Sequence, residues 1–430
     1  MAYIYRSNSS ASGTTATISA WVKSVDTSVD AGVFQFKSSS NTISFYTNPN
    51  LKFRVYTSGS YSTGDLVANN RKFRDFGGWW HLVATIDTTN ATSGDRLRVY
   101  INGERHTDFT TETYPSQNQS YAQLVSGNFE LGKYSSTDRT TYLAHVHYCD
   151  GYAYNADSFG STDATTGQWK INTQPNVQYG SNGVFLKFAS AGALGTDSSG
   201  NNNTMSISGT ALQTQDNPSN NFCTWNPQKK MTVTLSNGNT TTSGNGDNGA
   251  WGTIGENSGK WYWETQQNAG NTMMGILHED VQQTTGRSDQ AGVYGVQDGT
   301  TYAYYRNNGS SGQSSGFAQI TNSVVLCHAL DLDNGKYYLG VNGSFTNLSG
   351  TASNISSGTN PTFSGLDTTK FWFPFTECRG NGAGCDANFG NGFLGTTAIS
   401  SEGSNASNLG KFEYDVPAGF AAWCTKGLNE

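Results

Sequence analysis

Charge is scarce in this chain. Only 13% of its 430 residues are Asp, Glu, Lys or Arg, about half the share usual in soluble proteins. Helix surfaces are normally written in Glu, Lys, Arg, Ala and Leu, so the shortage excludes an all-helical protein. Basic runs are absent and the net charge is −7, which leaves no electrostatic footprint for nucleic acid or anionic lipid. No apolar stretch approaches the roughly 18 residues of a membrane span, and eight scattered prolines do not make a collagen or polyproline chain. The first residues, Met-Ala-Tyr-Ile-Tyr-Arg, lack the apolar region of a secretory signal, so synthesis in a cytoplasm is expected. The six cysteines then read as mostly free thiols. Cys378 and Cys385 alone are near enough in sequence to suggest a bridge.

What is present is aromatic and turn-rich: 10 Trp, 22 Tyr, 22 Phe and 51 Gly. That much core surface excludes disorder, and the length predicts two domains. Strand patterns dominate. Leu51, Phe53 and Val55 alternate on one face. Leu82, Ala84 and Ile86 share another, followed after a polar loop by Leu97, Val99 and Ile101 pointing in, with Arg96, Arg98 and Tyr100 pointing out. This pair ends in Asn102-Gly103, a hairpin turn signal. Residues 324–343 repeat the grammar: an apolar strand closed by Asp331, a short turn, a second strand and Asn342-Gly343. One such hairpin per half argues for two sandwiches rather than one barrel. Polar stretches at 216–221 and 236–248 separate them, and the boundary is placed near residue 222, giving domains 1–222 and 223–430.

Residues 17–23 (Thr-Ile-Ser-Ala-Trp-Val-Lys), 78–84, 97–103, 143–151 and the Asp-Ser-Ser-Gly-Asn turn at 197–201 resemble a concanavalin A-like, laminin-G-type lectin domain. Residues 259–264 (Gly-Lys-Trp-Tyr-Trp-Glu), 274–276, 330–335, 341–343, Phe373-Pro374 and 387–390 resemble a SPRY domain. The resemblances imply an all-β protein of two tandem antiparallel β-sandwiches of jelly-roll type. Their tandem order, with residues 179–188 and the Asp-Asn-Pro-Ser-Asn-Asn-Phe of 216–222 between, is similar to virion proteins of tailed, marine-type bacteriophages. That resemblance implies a place on a virion surface, contact with other virion proteins and with a host-surface glycan or protein, and assembly as a homo-oligomer, with a trimer as one form.

Candidate chemistry is sparse. No Glu-x-Asp-x-x-Glu run of a sandwich glycosidase is present, and Asp331 and Asp333 adjoin an Asn-Gly turn that they most simply solvate. His145, His147 and Cys149 share one strand face, but same-face neighbours stand about 7 Å apart, too far for three to meet one zinc ion. Asp197, Ser199 and Asn201 offer oxygens for Ca²⁺ without the extra carboxylates of a strong site, so a metal-free turn is the preferred reading and no cofactor is expected. Cys327 and His328 are strand neighbours on opposite faces, which makes His328 a core or interface histidine rather than a base. Binding is the better prospect. Loops carrying His278, Asp280 and Arg287, and the segment with Tyr302, Tyr305 and Arg306, offer rings for sugar C–H faces and polar groups for hydroxyls. A competing reading puts Tyr302 or Tyr304 in the core. With binding favoured over catalysis, the resemblance implies a non-enzymatic virion protein, a tail fibre or appendage engaging the host. A capsid decoration protein and a carbohydrate depolymerase are the alternatives.

Overall fold

The computed structural model describes residues 2–25, 31–47, 50–73, 75–134, 137–138, 141–282, 290–298 and 301–427. The chain forms two compact units, Met1–Gln213 and Thr214–Glu430. The dividing point precedes the expected one because residues 214–222 bond to the second unit. Gln215 N–H donates to the Asn391 carbonyl, Cys223 N–H to that of Trp423, and Asn221 exchanges bonds with Thr425. This segment is polar and without period, so its composition does not say which side it joins.

In the first unit an eight-stranded antiparallel sheet, from Phe109–Thr113 at one edge to Ser206–Ser208 at the other, faces a six-stranded one. The six-stranded sheet is built around Thr15–Ser24, Trp80–Asp87, Leu97–Ile101 and Thr141–Asp150. Their inner faces interdigitate: Ile18, Leu82, Ala84, Ile86 and Val99 from one, Phe34, Phe36, Phe53 and Phe129 from the other. The second unit packs a seven-stranded sheet, including Thr272–His278, Val293–Gln297, Tyr302–Asn307 and Trp372–Cys378, on a larger sheet centred on Lys260–Ala269 and Val325–Asp331. Trp225, Trp263, Leu326, Leu330, Trp372 and Trp423 fill the space between. Both units are therefore all-β sandwiches.

The two hairpins lie in these sheets as the alternation predicts. Leu82 pairs with Ile101 and Ile86 with Leu97; Leu326 pairs with Val341 and Leu330 with Tyr337. The second strand of each ends in a two-residue turn with both central residues at positive φ, Asn102 (47°)–Gly103 (87°) and Asn342 (48°)–Gly343 (81°), the type I′ geometry that suits the strand twist. The turn returns the chain into a further strand, Glu104–His106 or Ser344–Thr346.

Outer faces are where the alternation misleads. Tyr100 does point away from the core, but it is buried, its hydroxyl bonded to Asn155 Oδ1 at 2.6 Å beneath a second apolar layer with Val83, Cys149, Phe159 and Val177. In the second unit Phe222, Phe412, Val416, Phe420 and Cys424 form such a layer over Tyr262, Cys327 and Tyr338. Periodicity tells which way a side chain points, not what later chain returns to cover it.

Candidate binding surfaces

The structure splits the candidate residues of the second unit. Across the seven-stranded sheet, Gln297 pairs with Met273 and Tyr304, whereas His278 pairs with Trp372 at the other end of its strand. At about 3.3 Å per residue, Tyr302 and His278 stand roughly 20 Å apart along the strands. Arg287 lies outside the described residues.

At the His278 end the ring is wedged edge-on against Trp372, centroids 5.3 Å apart. Its Nδ1 accepts the Asp280 backbone N–H at 3.2 Å. Gly292, at φ +82°, lets the ring close in; a Cβ there would meet Nε2 at 2.0 Å. Asp280 is ion-paired with Lys370 at 2.7 Å, which holds its carboxyl below the ordinary range. These contacts shape a loop. An exposed pair of this kind adds little stability.

The strand Tyr302–Asn307 is divided by its own alternation. Ala303 is in the core and Tyr305 packs against it, so Tyr305 is half-buried rather than presented. Arg306 points outward yet is only 8% exposed, its Nη1 donating to the Tyr305 carbonyl. Tyr302 and Tyr304 are 43% and 36% exposed. Neither is core, and both lie on the outer face, because residues two apart in a strand share a side.

Beside them, at the same sandwich end, a cleft of about 530 Å³ is lined by Gln267, Gly270, Asp298, Thr321, Asn322 and Ser323. The amides of its wall are held: Gln267 Nε2 donates to Asn322 Oδ1, Gln267 Oε1 accepts from Thr272 N–H, and Asn322 Nδ2 donates to the Asn268 carbonyl. Two acceptors are not. Asp298 Oδ1 and Gln297 Oε1 are buried and have no partner among the described residues. Gln297 stands directly across from Tyr304. The exposed rings thus offer flat apolar surface near two acceptors that have no partner among the described residues. Gln297 and Asp298 are not among the sequence candidates, and Tyr304 enters there only as a candidate for the core, its period-2 spacing from Tyr302 being the available signal.

The other candidates resolve into structural roles. Asp197 Oδ1 accepts the backbone N–H groups of Phe185 and Ser199, and Oδ2 accepts Ser199 Oγ and Asn203 N–H, all at 2.8–2.9 Å. Asn201 and Asn203 donate to carbonyls at 180–183. The loop is a hydrogen-bonded staple with its carboxylate already occupied. In the strand Thr141–Asp150, a register shift between Ala144 and His147, with His145 at φ +46°, breaks the expected common face. His147 stacks on Phe185 at 4.1 Å and bonds Tyr179 Oη at 2.9 Å. Asp331 accepts from Asn334 and Asp333 from Gly259 N–H, as turn carboxylates do.

His328 is fully buried on the core face, bonded to Thr265 Oγ1 at 2.8 Å and Tyr337 Oη at 2.6 Å and stacked on Trp263. His81, on the outer face of the first hairpin, is a second fully buried histidine. There Trp169 Nε1–H donates to Nδ1, so Nε2 carries the proton given to Ser19 Oγ, and burial pushes the imidazole down to about 3. Cys378 and Cys385 are free thiols, and burial raises them to about 11 and 12.

No curated protein matches the sequence. Among solved structures, the PSpry domain of TRIM65 is similar at 12% identity and a TM-score of 0.30, covering 39% of this chain and 91% of the other. The SPRY domain of human HERC1 is 15% identical at a TM-score of 0.28, covering 38% and 96%. A heptameric SAP-like pentraxin from Limulus polyphemus is 15% identical at 0.28, covering 36% and 72%. In sequence, residues 2–147, most of the first sandwich, match the laminin-G-type family described as the concanavalin A-like lectin/glucanases superfamily.

Proposed function

We propose that the protein is a non-enzymatic recognition protein that binds a host-surface glycan, with a tailed-bacteriophage tail fibre or appendage as its setting. The observation that carries the binding reading is the Tyr302–Tyr304 pair. Most aromatic side chains of the second unit are buried, yet these two stand exposed on one face beside the Asp298 cleft. Flat rings take the C–H face of a sugar, and the polar side chains that line the cleft, Gln267, Asp298 and Asn322, offer partners for its hydroxyls. The lectin-like match of residues 2–147 supports carbohydrate or protein binding as the class. The virion setting rests on the tandem order of the two sandwich sequences.

The test is binding of the intact chain to a glycan array and to host envelope fractions, repeated with Tyr302→Ala/Tyr304→Ala. Two lost ring contacts weaken binding by about tenfold or more. Binding that survives in the double variant overturns the site. Failure to bind any envelope fraction overturns the attachment role and favours capsid decoration.

A further inference from the structure

The geometry points to a second, independent ligand site in the first unit: a small cleft that takes a protonated organic amine. It measures about 280 Å³ and lies where the chain crosses from one sheet to the other, between the strand Glu104–His106 and the strand Phe109–Thr113. Its chemistry is set by Asp95, Arg105, His106, Phe109, Glu112 and Tyr114.

The strong donors in this cleft are already committed inside it. Arg105 Nη1 is paired with Asp95 Oδ1 at 2.7 Å and its Nη2 donates to the Gly94 carbonyl at 2.8 Å. The Tyr114 hydroxyl donates to Glu112 Oε1. What is left facing a ligand is acceptor: the second oxygens of Asp95 and Glu112. Two carboxylates against one guanidinium leave the lining at −1, and the charges that act on His106 from outside it, Arg71 and Asp108, are of opposite sign. His106 stands edge-on to Phe109 with centroids 5.0 Å apart, and its Nε2 is buried without a partner among the described residues. Partial burial favours its neutral form, so the histidine adds no positive charge. Phe109 and Tyr114 are half-buried aromatic walls.

Carboxylate oxygens with aromatic walls suit an ammonium group, through charge-assisted hydrogen bonds and the negative faces of the rings. An anionic ligand meets repulsion from the two carboxylates. The volume lies at the lower end of ligand pockets, room for one sugar ring or one alkylammonium chain.

The experiment is calorimetric titration of the intact chain with two pairs of probes, each pair differing in charge. One pair is glucosamine and N-acetylglucosamine; the other is Nα-acetyl-lysine amide and its Nε-acetylated form. The expected result is that the charged member of at least one pair binds at least tenfold tighter than its neutral partner. Which pair responds tells a sugar amine from a peptide lysine. Glu112→Gln, which keeps an acceptor for Tyr114, and Asp95→Asn each weaken that binding by about tenfold, while Tyr302→Ala/Tyr304→Ala leaves it unchanged. Circular dichroism and melting of each variant report whether the fold is intact. Equal binding of charged and neutral probes, binding of neither amine, or full binding by both folded carboxylate variants overturns the assignment.

Discussion

Glu264 offers a sharp test of how the second sandwich is held together. It is fully buried under the outer layer formed by residues 389–424, and its carboxylate gathers four donors. Oε1 accepts Tyr414 N–H at 2.8 Å and Tyr262 Oη at 3.1 Å; Oε2 accepts Glu413 N–H at 3.0 Å and Asn388 Nδ2 at 3.1 Å. Burial outweighs these bonds and pushes the carboxyl from its ordinary 4.5 to about 7. A raised folded-state value means that the folded chain holds the proton more tightly than the unfolded one. The associated stability is complete below about pH 4.5 and is lost as pH rises through about 7. A shift of some 2.5 units corresponds to about 3 kcal/mol. Glu264→Gln removes the titration while keeping the shape. Its amide can donate to the Tyr262 oxygen, as the protonated acid does, and leaves only the Tyr414 N–H unpaired. Urea unfolding from pH 4 to 8 should therefore show wild type and variant within about 1 kcal/mol of each other at the acid end. Toward pH 8 wild type should fall by about 3 kcal/mol relative to the variant. Parallel pH profiles would refute the argument, since they would mean that the carboxyl titrates alike in both states.

Three further outcomes are expected. Gly103→Ala must place a methyl group 2.4 Å from the Trp169 ring at a φ of +87°, dislodging the donor to His81; a loss of about 2 kcal/mol, seen as a melting point lower by roughly 5 °C, is expected, and an unchanged melting point would contradict it. Because the Asp197 carboxylate is filled by its own loop, millimolar Ca²⁺ or EDTA should leave the melting temperature unchanged. An ion bound at 100-fold excess over its dissociation constant would add about 2.7 kcal/mol and be plain to see. The six buried thiols should resist Ellman's reagent in the native protein and react together in denaturant; rapid native labelling of Cys378 or Cys385 would show that the Gly-rich segment between them opens.

The hairpins were legible because two independent signals coincide in them. Leu82, Ala84 and Ile86 fix a face by alternation, and Asn102-Gly103 fixes a turn by its tolerance of positive φ. His328 was legible for the same reason, flanked on its face by Leu326 and Leu330. Three kinds of feature were not. Tyr100 and His147 are covered by chain that returns from far along the sequence, which no local period encodes. The face shared by His145 and His147 fails at a bulge, where one extra residue resets the alternation. The exposed end of the second sandwich joins Gln267, Asp298 and Asn322 through the sheet order, so its residues are neighbours only after folding. Arg306 shows the limit of residue type as a guide: a cation in a polar-looking strand, buried against its sheet.

The bonds between residues 220–223 and 423–426 have a mechanical consequence. Phe222 and Cys424 are bridged antiparallel, with Asn221–Thr425, Cys223–Trp423 and Asn220–Lys426 contacts around them. The beginning and the end of the second sandwich therefore run side by side, closing a loop of more than 200 residues. Tension applied across it would peel these few contacts one after another, as a zipper opens, and would reach the tryptophan core only after they had parted. A covalent link between the two passing segments, such as a disulfide from paired cysteines at 222 and 424, would turn that peeling joint into a fixed one.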